Sequence, residues 1–336
     1  MRQALAGVIG VVAACSIGAA AQWPKVQEPG VPRDAQGRVR MDAPPPKTAD
    51  GKPDLSGLWV RADRDPFPAE LAGILGGRAG QPPADGRGAP AGRGGAQAPR
   101  GGGPPAGRGA AAGRGGDVNF ADVPVAPFPP DPKSPPLATF FELGQNIPGG
   151  LPFTPWAADI RKARVATDDK DNPDANCMPM GIPQFHMQPQ PRRIYQFPKE
   201  ILIEYEANYG LRHIYMDGRK LPPQGEPNPF WYGYSVGRWE GDTLVVDTNN
   251  LRGAEEGPYD GWLDVRGSPY SGQAKFTERF RRPIFGKLEI DITLEDPKAY
   301  TKPFTVRINQ QIAPDDEIIE FVCNENNQFR RRVKID

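Results

Sequence analysis

YSVGRWEGDTLVVDT, residues 234–248, holds two β-type runs, Tyr234–Glu240 and Thr243–Thr248, joined at Gly241-Asp242. Aromatic and β-branched runs on either side of a Gly/Asp turn predict a tight hairpin. The same pattern recurs on both sides of it. Upstream, Ile201, Ile203 and Tyr205 alternate with Leu202, Glu204 and Glu206, and a further run spans Leu211 to Met216 after the turn Asn208-Tyr209-Gly210. Downstream, Ala274 to Arg281 begins another run. Leu288, Ile290, Ile292 and Leu294 then alternate strictly with Glu289, Asp291, Thr293 and Glu295. Such a period of two marks a half-buried strand. Phe304, Val306 and Ile308 give the next run, and Glu317 to Cys323 another.

With the short run around Trp59, these make about eight to nine strands in meander order. The fold class is therefore mostly β, an antiparallel meander. A closed or nearly closed barrel suits it because closure removes exposed strand edges. A β-sandwich or open sheet is the alternative. One short helix is predicted from Thr154 to about Ala166. Thr154 is suited to the N-cap and Pro155 to the first helical position, while Arg161, Lys162 and Arg164 lie toward the negative end of the helix dipole.

Composition divides the chain. It has 336 residues, with 40 Gly and 41 Pro concentrated before Pro155, so one compact domain is expected in the second half. Residues 1–21 read as a signal peptide. Arg2 is the positive n-region, Ala4 to Ile17 the apolar core, and Ala19-Ala20-Ala21 the cleavage site. That apolar run is short for a bilayer span. Val12-Ala13-Ala14-Cys15 resembles a lipobox, so a lipoprotein anchored through Cys15 is the alternative to a secreted or periplasmic protein. Residues 22–53 form a proline-rich arm and 54–75 a first strand region. Residues 76–136 are a Gly/Arg- and Pro-rich insert expected to be disordered: Gly76 to Gly116 has almost no bulky apolar residue to offset its ordering entropy, and Val123 to Pro136 continues as a stiffer polyproline stretch. The main β domain is 137–336.

Forty-one Lys and Arg balance forty-one Asp and Glu. A neutral chain offers no global field for nucleic acid, and none is expected as a partner. Two cysteines remain after export, Cys177 and Cys323. In an oxidising compartment they are expected to pair, and the bridge would restrain the unfolded chain by about 4–5 kcal/mol.

Two resemblances follow. PDLSGLW at 53–59, DGR at 217–219, GYSVGRWEGDTLVVDT at 233–248, TERFRRP at 277–283, EDPKAYTKPFTV at 295–306 and FVCNENN at 321–327 resemble an uncharacterised family of secreted bacterial proteins. The resemblance implies export and carries no activity. Gly57-Leu58-Trp59 is similar to the G-x-W of lipocalin-like barrels. That resemblance implies a Trp closing one barrel end with an arginine from the last strand packed across it, a part open to Arg330, Arg331 or Arg332.

There is no G-x-S-x-G elbow, H-E-x-x-H, P-loop or dinucleotide fingerprint. Of two histidines, His213 shares a face with Leu211 and Tyr215, and the pair lacks a third ligand for zinc. No metal or cofactor is expected. The acidic run Asp168–Asp174 lacks the Gly and Glu of an EF-hand loop and reads as a solvated turn. Candidate catalytic groups are Glu278, Glu325 and His213. Glu278 shares a strand face with Phe276 and Phe280, and an inward carboxylate must be paired or carry a raised pKa. Glu320, on the face of Ile318 and Val322, is a second inward candidate. Asn324 and Asn326 offer donors and acceptors for a hydroxyl-rich ligand, and Trp231 and Tyr232 offer rings to stack on one. The expected function is binding of a small-molecule or glycan ligand by a monomer. A metal-independent glycan hydrolase or lyase and a structural envelope protein are the alternatives.

Overall fold

The structure, a computed structural model, describes residues 27–62, 128, 131–226 and 228–323. Nine strands close into one barrel in sequence order. They are β1 (Gly57–Arg61), β2 (Arg192–Gln196), β3 (Glu200–Tyr205), β4 (Gly210–Tyr215), β5 (Tyr234–Glu240), β6 (Thr243–Asn249), β7 (Lys275–Ile284), β8 (Lys287–Glu295) and β9 (Phe304–Ile312). The hairpin at 234–248 is β5–β6, in register from Tyr234–Asn249 to Glu240–Thr243. β9 returns to pair antiparallel with β1 through Trp59–Ile312 and Arg61–Gln310.

An odd ring cannot have every neighbour antiparallel, because alternation of direction leaves one mismatch. The mismatch falls between β4 and β5, which run parallel at Ile214–Ser235 and Tyr215–Val236. A parallel step needs a long return connection, and the chain between Tyr215 and Tyr234 supplies it.

Alternation then sorts the side chains. Phe276, Glu278, Phe280 and Arg282 of β7 are buried, as are Leu288, Ile290, Ile292 and Leu294 of β8. One barrel end is shut by Trp59, fully buried, whose Nε1 donates to the Leu55 carbonyl at 2.9 Å. The cation across its ring is Arg282 of β7, at 4.8 Å from the centroid. Arg282 also donates to the carbonyls of Asp54 (2.6 Å) and Phe285 (2.8 Å). The arginines expected there, Arg330, Arg331 and Arg332, lie outside the described residues. Part of the arm packs on the same end, where Phe285 N donates to Ala43 O and Gly286 N to Met41 O.

A second correction concerns Glu317 to Cys323, which forms no strand. The ring is already closed by β9 on β1, so no free edge remains for another strand. The segment instead lies against the β3 end, with Ile319 N donating to Glu206 Oε2 at 3.2 Å. Glu320 is exposed there, not inward.

The predicted helix is α1 (Pro155–Val165), with the Thr154 hydroxyl accepting from Ala157 N at 3.4 Å. Arg164 from its last turn lies over Trp262 at 4.0 Å. A second helix, α2 (Ile182–Met187), is not foreseen by the sequence reading, and all six of its residues are buried. The Cys177–Cys323 disulfide is present. Residues 1–21, expected to be a signal peptide, and most of the Gly/Arg- and Pro-rich insert lie outside the described residues. No described helix is long and apolar enough to cross a membrane.

Candidate functional site

The barrel interior holds a buried polar cluster built from five elements. Glu278 sits on β7 between Phe276 and Phe280 on the inner face and is fully buried. Arg212 comes from β4, whose inner face carries Gly210, Arg212 and Ile214. Ser235 on β5 and Thr248 on β6 are directly opposed cross-strand neighbours. The fifth element, α2, brings in His186.

These side chains bond to one another. Arg212 grips Glu278 with both terminal nitrogens, Nη1 to Oε1 at 3.0 Å and Nη2 to Oε2 at closer range. Arg212 also donates to Ser235 Oγ (3.1 Å) and Thr248 Oγ1 (3.0 Å), and those hydroxyls lie 2.9 Å apart. His186 Nε2 lies 2.9 Å from Glu278 Oε1. Burial alone works to raise the Glu278 carboxyl. The Arg212 charge and the bonds from His186 and Arg212 outweigh it and hold the group at about 2. Burial drives His186 the other way, to a lowered pKa, aided by the charges of Arg212 and Arg192 and opposed by Glu278.

The protonation states fix the tautomer. An ionised Glu278 only accepts, so neutral His186 must carry its proton on Nε2. Nδ1 is then a bare acceptor, and it has no hydrogen-bond partner within the protein. Three further buried atoms around it share that condition. Arg192 and Gln310 both donate to the His186 carbonyl, yet Arg192 Nε and Gln310 Oε1 are unpartnered. The Tyr205 ring meets the imidazole edge-on at 5.8 Å. Its hydroxyl lies close to the Arg212 guanidinium but without good hydrogen-bond geometry, and burial pushes the phenol up to about 12. Phe185 stacks on Tyr205 at 4.4 Å and meets Tyr232 at 4.9 Å, giving the cluster an aromatic wall.

The other sequence candidates are dispersed. His213 is on the outer face of β4, where its Nδ1 lies 2.6 Å from Glu200 Oε1, and so it is not near Glu278. Trp231 carries Arg252 over its ring at 4.7 Å. Tyr232 alone of the aromatic candidates reaches the cluster, through Phe185. Asn324, Glu325 and Asn326 lie outside the described residues. Among the described residues no group of three or more His, Cys, Asp or Glu side chains is arranged to hold a metal ion.

The residues that sequence reasoning missed are His186, Arg192, Tyr205, Arg212 and Gln310. Alternation puts Arg212 on the face of Ile214, but the opposite face, with Leu211 and Tyr215, is at least as apolar, so the pattern does not say that Arg212 points inward. His186 had no signal either, because its helix is six residues long and flanked by prolines.

No protein-family model, no curated protein and no solved structure matches this chain.

Proposed function

We propose that this protein is an exported, non-covalent binder of a small hydroxyl-bearing molecule, held at the α2 end of the barrel around His186. The carrying observation is the group of buried unpartnered atoms: His186 Nδ1 and Gln310 Oε1 as acceptors, Arg192 Nε as donor, and Tyr205 Oη as either. Each such atom costs about 1–3 kcal/mol when left unpaired. A hydroxyl both donates and accepts, so a sugar or polyol satisfies this mixed set, and the rings of Phe185, Tyr205 and Tyr232 suit its apolar face. The disulfide supports the export part of the reading, since such bonds persist in oxidising compartments.

The chain has two histidines, so a histidine-selective 15N spectrum contains only His186 and His213. Titration with glucose, galactose, N-acetylglucosamine and glycerol should move the His186 Nδ1 resonance and leave His213 in place. If none of them moves His186, and protein purified from its native host is ligand-free by native mass spectrometry, the binding reading fails.

One observation favours a second reading, acid–base catalysis. Glu278 holds the imidazole by Nε2 and leaves Nδ1 as a base, which is how a carboxylate orients a general base. Hydrolysis of p-nitrophenyl glycosides that is lost in H186Q would favour it over simple binding.

A further inference from the structure

We infer that the outer face of β2–β5 is a second binding surface, one that takes a neutral, hydroxyl-rich sugar chain. Five large apolar side chains are exposed on this side: Tyr195, Phe197, Tyr209, Leu211 and Phe230. The strand register turns part of this surface into a row. Tyr195 of β2 opposes Leu202 of β3, and Leu202 opposes His213 of β4. The ring line then continues to β5. His213 stacks with Tyr215 at 6.4 Å, Tyr215 meets Tyr234 at 5.2 Å, and Tyr234 meets Phe230 at 6.2 Å. Three inter-strand steps of about 4.8 Å give a row of about 14 Å, the scale of a short oligosaccharide laid across the strands.

The charges along the row are paired with members of the row. Glu204 accepts from the Tyr195 hydroxyl at 2.8 Å, and Glu200 lies 2.6 Å from His213. Arg219 lies 3.8 Å over the Tyr215 ring, donates to the Tyr234 hydroxyl at 3.0 Å and is bound to Asp217 at 2.6 Å. These ties hold the rings in place before anything binds, which lowers the ordering cost. Asp217 balances Arg219, and Arg193 of β2 stands opposite Glu204 in the register, which limits the net field, so the face favours a neutral chain over a charged one. A sugar ring has an apolar C–H face for the aromatic rings and a rim of hydroxyls for the carboxylates and guanidinium beside them. A protein interface would instead need a broad apolar centre depleted of charge. The row is narrow and charged along its edges.

The test uses the full mature chain in co-sedimentation with cellulose and chitin and in affinity electrophoresis through dextran and a soluble β-1,3-glucan. At least one polymer should retain the wild type. The double variant Tyr195→Ala/Phe230→Ala should lose at least tenfold in retention, and Tyr195→Phe should keep most of it. Both altered side chains are exposed, and unchanged far-ultraviolet circular dichroism would show that the variants are folded. If no polymer retains the wild type, or if the double variant is retained equally well, the inference is overturned. It is also overturned if light scattering shows a dimer that the double variant dissociates, since the face would then bind a second copy. The His186 resonance reports the interior separately: polymer binding that leaves it unmoved supports the surface site whatever becomes of the interior one.

Discussion

Arg212 and Glu278 meet inside the barrel although their strands are not neighbours. β5 and β6 lie between β4 and β7, so the bidentate ion pair braces the barrel across two intervening strands. Both groups are buried, at 2% and 0% exposure, so the pair is isolated from solvent screening. Its net worth is small relative to apolar packing, but removing one partner strands the other.

Arg212→Met should therefore destabilise the protein by about 3–5 kcal/mol, because Glu278 is left charged and without its main partner. Glu278→Gln should cost at least as much, because it leaves the buried Arg212 guanidinium without its counter-charge and an arginine cannot shed its proton. The double variant Arg212→Met/Glu278→Leu should recover much of the loss. Urea unfolding of the three variants checks the order. Equal losses in the single and double variants would mean that the volume, and not the charge pair, matters at this place.

His186 makes stability depend on pH with a definite sign. Its folded pKa is lowered, mainly by burial, so below about 6.5 the unfolded chain binds a proton that the folded chain refuses. Stability should rise as pH goes from about 5 to about 7 and then level off on this account. Glu278, held at about 2, adds stability present above its unfolded value and lost only as pH falls toward 2. His186→Gln should remove the rise between pH 5 and 7 relative to wild type. The comparison isolates the imidazole, because the carboxyls of Asp264 and Asp174, which burial pushes up, act with the opposite sign in both proteins. Thermal unfolding across that range, wild type against variant, is the measurement.

The difference between Glu278 and Arg212 shows what the sequence could reveal. Glu278 stands between Phe276 and Phe280 in a strict alternation, so its inward direction was legible. β4 alternates too, but its more apolar set, Leu211 and Tyr215, lies on the outside with the exposed aromatic row. The usual rule, apolar face inward, therefore favours the face of His213 and gives no signal for Arg212. An arginine can face inward only because Glu278, 66 residues later, neutralises it, and that pairing exists only in the closed ring. The barrel itself was legible because β3, β7 and β8 alternate with a period of two and follow one another through short connections around the central hairpin. The α2 helix was not, since a proline-flanked segment of six residues gives neither a helical nor a strand period. Trp59 was legible as an anchor. Its cation was not, because the partner depends on which strand ends beside it.

Trp59 and Arg282 give a prediction at the closed end. Trp59→Ala removes a fully buried indole and its bond to Leu55, and should cost about 3–5 kcal/mol. Arg282→Met keeps the stem over the ring but loses the charge and the bonds to Asp54 and Phe285 carbonyls. That change should cost less than Trp59→Ala, yet it should raise hydrogen exchange in the 41–56 arm, which Arg282 anchors through the Asp54 carbonyl. Exchange confined to β7 alone would show that Arg282 does not hold the arm.

Cys177 and Cys323 join the segment that leads into α2 to the chain after β9, across a separation of 146 residues. Closing so long a loop restrains the unfolded chain by about 4–5 kcal/mol in the entropic model. Reduction should lower stability by about 2–5 kcal/mol without opening the barrel, since β9 and β1 are joined by their own ladder. Intact mass before and after reductant should differ by two hydrogen atoms, and the oxidised protein should resist alkylation. Under reducing conditions, hydrogen exchange should rise first at 313–323 and 173–181 and later, or not at all, in β5–β8. Two freely alkylatable thiols in the untreated protein, or an exchange pattern unchanged by reductant, would show that the bond does not clamp the α2 end.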